Sequence, residues 1–208
     1  MRENRSGRAR LFLLGSLAAL ALGMTFASSA SASPAWKFNG TALVGVEEVI
    51  GSASGSTLTI PGMITTCNTV SYEMRIVNTM GTGTGEVRGM QFEECSTNTV
   101  CTVESIVATS LPWPLSLKTI GGNDYVVVKN VKVEIEYGNP ECALEGITGI
   151  VTGSAGGLFQ NPTSTIAFSP ASFKATGTEL KMFGTKVDWT ATFSTQATGA
   201  HAGEALEG

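Results

Sequence analysis

Four cysteines, Cys67, Cys95, Cys101 and Cys142, all lie downstream of an export signal, and they constrain the fold more than any other feature. Export leads to an oxidising compartment, where an even set of cysteines reads as disulfides. The strongest pairing argument is local. Gly81-Thr82-Gly83-Thr84-Gly85 is a turn by composition, with a strand expected on each side. Reflecting the chain about Gly81 sets Cys67 opposite Cys95, as disulfide geometry requires. Cys101–Cys142 follows by elimination, one of three connectivities open to four cysteines. Each closed loop is worth about 3–4 kcal/mol in the chain-entropy model.

The signal itself occupies residues 1–32. Arg2, Arg5, Arg8 and Arg10 form a basic head, Leu11 to Gly23 an apolar middle, and Ala30-Ser31-Ala32 a small-residue cleavage site. Cleavage is expected after Ala32, with Ala30 as the alternative. The apolar run falls short of the roughly 20 residues a membrane span needs. The mature chain, 33–208, then reads as one β-rich extracellular domain.

Cleavage changes the charge. The leader carries four arginines against Glu3, a net +3, so the chain's −4 becomes −7. Only Arg75 and Arg88 remain as arginines, which argues against nucleic acid or anionic lipid as a partner. Charged residues are 14% of the chain, while Gly, Thr, Ser and Val are abundant. That balance suits short strands and glycine-rich turns rather than a helical bundle.

The pattern of apolar residues agrees. In Thr65–Asn78, Val70, Tyr72, Met74 and Ile76 alternate with Ser71, Glu73 and Arg75. Val131, Val133, Ile135 and Tyr137 alternate in the same way with Lys132, Glu134 and Glu136. Period two marks a half-buried strand. Further strands are expected at Thr41–Ile50, Thr57–Ile60, Glu86–Glu94, Cys101–Ala108, Leu115–Ile120, Tyr125–Val128, Ile147–Thr152, Ser164–Phe168, Ser172–Thr176 and Lys186–Thr195. Pro61-Gly62, Gly121-Gly122-Asn123-Asp124 and Gly138-Asn139-Pro140 supply turns, and Asn130 marks a bend. The expected fold is an all-β antiparallel sandwich, with a closed barrel as the alternative. The tail from Thr198 to Gly208 is small and polar, and is expected to be loosely held.

Chemistry-bearing patterns are sparse. His201 is the only histidine, and Asp124 and Asp188 are the only aspartates, so no hydrolytic triad can be assembled from sequence. Gly51-Ser52-Ala53-Ser54-Gly55 puts alanine where a nucleophile elbow needs serine. Glu47-Glu48 and Glu93-Glu94 are adjacent, so on a strand each pair points to opposite faces. The cysteine spacing is wrong for zinc, and no calcium loop occurs; a single ion at the Asn123-Asp124 turn is the one weak metal possibility. The catalytic, metal and cofactor assignments are therefore none. Trp189 shares a face with Val187, Ala191 and Phe193 and reads as core. Trp113, between Pro112 and Pro114, is the expected exposed aromatic and the possible ligand contact; closing one end of the domain is its packing alternative.

At Cys67, Phe92–Cys95, Cys101 and Leu111-Pro112-Trp113, with the glycine-rich segments Gly81–Gly85 and Gly199–Gly203, the chain resembles a group of small secreted actinobacterial all-β proteins with spaced cysteines. The resemblance implies location and architecture and carries no catalytic residue. The expectation is a secreted or cell-surface domain with a non-enzymatic structural or binding role. Its partner classes are a cell-envelope component or a small apolar ligand. A carrier of an apolar ligand or lipid is the alternative, and a hydrolase built on His201 or a glutamate pair the weakest.

Overall fold

The computed structural model describes residues 33–208; the expected export signal lies outside the described residues. The strands are β1 (Lys37–Phe38), β2 (Thr41–Ala42), β3 (Val46–Ile60), β4 (Met63–Thr79), β5 (Thr82–Thr97), β6 (Thr102–Ala108), β7 (Trp113–Ile120), β8 (Asn123–Gly138), β9 (Thr148–Gln160), β10 (Thr165–Phe168), β11 (Leu180–Met182), β12 (Thr185–Ala197) and β13 (Leu206–Glu207). One helix, α1 (Pro170–Thr176), joins β10 to β11.

Antiparallel ladders run from β3 through β4, β5, β7, β8, β9, β10 and β12 back to β3. The fold is therefore all-β and a closed eight-stranded barrel, not the expected sandwich. Closure by the β12–β3 ladder (Asp188↔Thr59 to Ala197↔Val49) is what separates the two architectures. A filled barrel and a sandwich share the same in–out alternation, so the strand pattern alone does not tell them apart. Two barrel positions are split. β11 sits beside β10 between β9 and β12, and β6 takes over from β7 along the second half of β8. The changeover on β8 is a bulge between Val128 and Val131, where Asn130 has φ 57°.

Tight turns set the registers. Met80-Gly81, Gly121-Gly122 and Phe183-Gly184 each close a two-residue hairpin with both residues at positive φ. That is the turn whose twist matches paired strands. The first hairpin differs in detail from expectation. Its turn is Met80-Gly81, and Thr82–Gly85 already belongs to β5. Gly85 is needed for close approach, because a Cβ there would stand 2.2 Å from the Arg75 carbonyl oxygen. Thr79 faces Thr82, a register that would set Cys67 against Glu94. A bulge at Arg88 adds one residue to β5, and Cys67 then faces Cys95.

Both disulfides form, Cys67–Cys95 between β4 and β5, and Cys101–Cys142 between the start of β6 and the loop after β8. The barrel interior is packed with side chains such as Met74, Ile76, Ile135, Val151, Ile166, Leu180 and Phe193, each 2% exposed or less. Burying an aliphatic or aromatic side chain is worth about 1.5–3 kcal/mol, so this row is the main source of stability.

Two expectations are corrected. Ser172–Thr176 is helical, not a strand. Ser169 accepts from the Ser172 N–H, Pro170 fills the first helical turn, and Gly177 ends it at φ 65°. The tail is seated, not loose. β13 pairs with β1, Leu206 is fully buried, and the Ser164 hydroxyl donates to its carbonyl. Together β13, β1 and β2 cap the barrel end where β3 begins, with Trp36 and Phe38 beneath them.

Candidate binding site

The ladders leave one seam in the wall. β5 pairs with β7 only from Thr84 to Val87, and the ladder stops at the Arg88 bulge. From there to Thr97, no described strand bonds β5 on the side away from β4. β6 pairs with β8 and, among the described strands, with nothing on its other side. The two lips are joined by the short connection from Asn98 to Cys101, yet form no ladder with each other. Neither disulfide crosses the seam. Cys95 ties one lip back to β4, and Cys101 ties the base of the other to Cys142.

Apolar residues behind the seam are open to solvent. Met90 and Phe92 on β5, Val103, Ile106 and Ala108 on β6, and Leu111 beyond it all pack on the core but stay half-buried. Met90, Phe92 and Ile106 also line an internal cavity of about 70 Å³, shared with Trp113, Trp189 and Phe193. Its walls are almost wholly apolar. Two polar pairs lie in this half of the barrel: the Trp189 Nε1–H donates to Ser56 Oγ at 2.9 Å, and Thr65 Oγ1 lies 3.2 Å from the Tyr137 hydroxyl. Burial pushes the Tyr137 phenol up, and the Thr65 hydrogen bond opposes part of that shift. Burial alone pushes Tyr72 far above the ordinary phenol value. Its hydroxyl has no hydrogen-bond partner among the described residues.

The outer rims of the seam are acidic. Glu93 and Glu94 on β5, and Glu104 on β6, are exposed, and no cation pairs with them among the described residues. Glu94 accepts from Asn68, and Glu104 accepts from Thr102. On β8, behind β6, Glu136 accepts from Ser105, and Lys132 bonds Glu134 at 2.8 Å and holds its carboxyl below the usual range. Arg75 and Arg88 are occupied elsewhere. Arg88 pairs with Glu86 and Glu48, and Arg75 with Glu48.

The candidate residues read from the sequence are dispersed. Trp113 is 1% exposed, not the exposed contact expected of it; it starts β7, faces inward, and donates its Nε1–H to the Thr109 carbonyl. Its flanking prolines suggested a surface loop, but the barrel places the ring in the core. His201 stacks on Phe38 at a centroid distance of 4.3 Å, and its Nδ1 lies 3.1 Å from Glu204. Glu47 and Glu48 do point to opposite faces. Glu47 is buried and accepts the Gly199 N–H at 2.7 Å and the His201 N–H at 3.4 Å, which anchors the tail. Asp124 accepts from Thr119 within its hairpin. Among the described residues, no three His, Cys, Asp or Glu side chains are grouped as metal ligands, and no helix is long and apolar enough to cross a membrane. The seam itself escaped the sequence reading. Its one signal, Arg88 interrupting the alternation of β5, is visible only once the register is known.

Comparison of the chain with protein-family models, with curated proteins and with solved structures found no match.

Proposed function

We propose that residues 33–208 form a non-enzymatic extracellular binding domain. The observation that carries this reading is the seam, where the core of a stapled barrel meets solvent between two strand edges left without ladders. Two disulfides fit an oxidising compartment. The residues with most chemical potential already have structural work: His201 and Glu47 hold the tail, and Arg75 and Arg88 hold surface carboxylates. Carriage of a lipid is less well supported, because a cavity of about 70 Å³ is well below the roughly 300 Å³ of ordinary ligand pockets.

The test is a binding screen of the purified exported protein against cell-wall polysaccharides, phospholipid vesicles and extracellular proteins, run beside hydrolase assays. Saturable binding without turnover is the expected result. Turnover that disappears in His201→Ala would overturn the reading.

A further inference from the structure

We propose that the seam between β5 and β6 binds an extended, basic–apolar peptide strand by edge addition; this rests on the reading of the domain as a binding module. Three observations converge. First, β5 from Arg88 onward and the whole of β6 each have one edge without a ladder, so their N–H and C=O groups on that side need partners. Second, the floor between the edges is apolar and half-exposed: Met90, Phe92 and Ile106 point into the barrel yet meet water. Third, the rim carries Glu93, whose carboxylate has no side-chain partner among the described residues, and Glu94 and Glu104, which accept from the neutral Asn68 and Thr102 but pair with no cation among the described residues.

These features select one occupant. A small apolar molecule would cover the floor but leave the backbone groups unbonded and the carboxylates without a cation. An extended peptide answers all three. Its backbone bonds a lip, alternate side chains turn inward onto Met90, Phe92 and Ile106, and the intervening side chains turn outward to the rim. Acidic rims select Lys or Arg at those outward positions. β5 and β6 run antiparallel and come within 8 Å of each other, Cα to Cα, over part of the seam, so the lips must part for a strand to lie between them, antiparallel to one and parallel to the other. β6 spans 7 residues, which sets the length of the bound segment.

The Arg88 bulge is what makes the seam. It lies where the β5–β7 ladder stops, and bulges bend the strand that carries them. The disulfides then fasten each lip to its own neighbour, so the lips can separate without loosening the rest of the wall.

The probe is a capped synthetic peptide of about eight residues alternating valine and lysine. Controls are its valine–glutamate counterpart and the same valine–lysine peptide N-methylated on alternate residues. Binding to the oxidised protein is read by fluorescence anisotropy and amide NMR. The valine–lysine peptide is expected to bind at least about tenfold more tightly than the valine–glutamate peptide. It should shift the amides of Gly89–Phe92 and Val103–Val107, and slow their hydrogen exchange. The double variant Glu93→Gln with Glu104→Gln should weaken binding about threefold to tenfold without altering the unbound amide spectrum. N-methylation should abolish it. Equal binding of the N-methylated peptide, no binding of any peptide, or seam amides shifted only by an apolar dye would each overturn the inference. If the peptide fails while the screen finds another ligand elsewhere on the barrel, only this inference falls, and the reading as a binding domain stands.

Discussion

Gly51→Ala is a severe test of how tightly the barrel is packed. Gly51 lies on β3 opposite Tyr72 of β4. A Cβ built on it would stand 2.3 Å from Tyr72 Cζ, 2.5 Å from Cε1 and 2.6 Å from the hydroxyl oxygen. Ordinary contact begins near 3.5 Å, so the ring must move by about 1 Å or more. It has little room, being 6% exposed and packed on Phe193 at a centroid distance of 5.0 Å. Overpacking of this kind costs about 1–3 kcal/mol. For a domain of this size that lowers the Tm by roughly 2–4 °C per kcal/mol. The diagnostic step is to repeat the change in a Tyr72→Ala background. Tyr72→Ala alone costs about 3–5 kcal/mol, but it removes the obstacle. Gly51→Ala should then cost nothing, or stabilise by about 0.5–1 kcal/mol, because alanine loses less backbone entropy than glycine. Urea unfolding of the oxidised proteins measures all four corners of the cycle, with a coupling expected at about 1–4 kcal/mol. Equal costs in both backgrounds, within about 0.5 kcal/mol, would refute the reasoning. Gly85→Ala is the contrasting case. Its obstacle is the Arg75 carbonyl, which no side-chain truncation relieves.

Three further outcomes are expected. Removing Cys67–Cys95 or Cys101–Cys142, with sequence separations of 28 and 41, should each cost about 3–4 kcal/mol in thermal unfolding; an unchanged Tm would count against the stapled framework. Stability should be full below about pH 10 and fall above it, because the unfolded chain releases the Tyr72 proton near pH 10 while the buried phenol keeps it. The slope from this group is about 1.4 kcal/mol per pH unit, and a Tyr72→Phe variant that retained the full slope would contradict the assignment. Deleting Ala205–Gly208 removes the buried Leu206 and the partner of β1, and should cost at least about 2 kcal/mol by calorimetry; an unaltered transition would mean the tail is not part of the cap.

The sequence made the elements more legible than their closure. Alternation in Val70–Ile76 and Val131–Tyr137 located β4 and β8, because period two is a local property of a pleated strand. Where one strand changed partners, the reading divided it: Tyr125–Val128 and Val131–Tyr137 are one β8, broken in phase by the bulge at Asn130. Ser169, Pro170 and Gly177 are the start and stop signals of α1, which the reading of Ser172–Thr176 as a strand did not use. The Cys67–Cys95 pairing came out right for an incomplete reason. The turn lies half a residue earlier than the reflection assumed, and the Arg88 bulge restores the match. Trp113 was misplaced because proline neighbours speak about the backbone, not about which way a ring points. The seam depends on which strands fail to pair. That is set by the whole circuit of the sheet, and no window of residues contains it.

The surplus residue at Arg88 also changes how this barrel can be tuned. Losing it would leave every pair from Gly89 to Thr97 matched with the same residue of β4, since the hairpin would simply heal into uniform register. Core contacts and the Cys67–Cys95 bond would survive. What would alter is the angle at which β5 leaves its neighbour. The aperture is thus adjustable by chain length at a single position, independently of the chemistry of the side chains that line it.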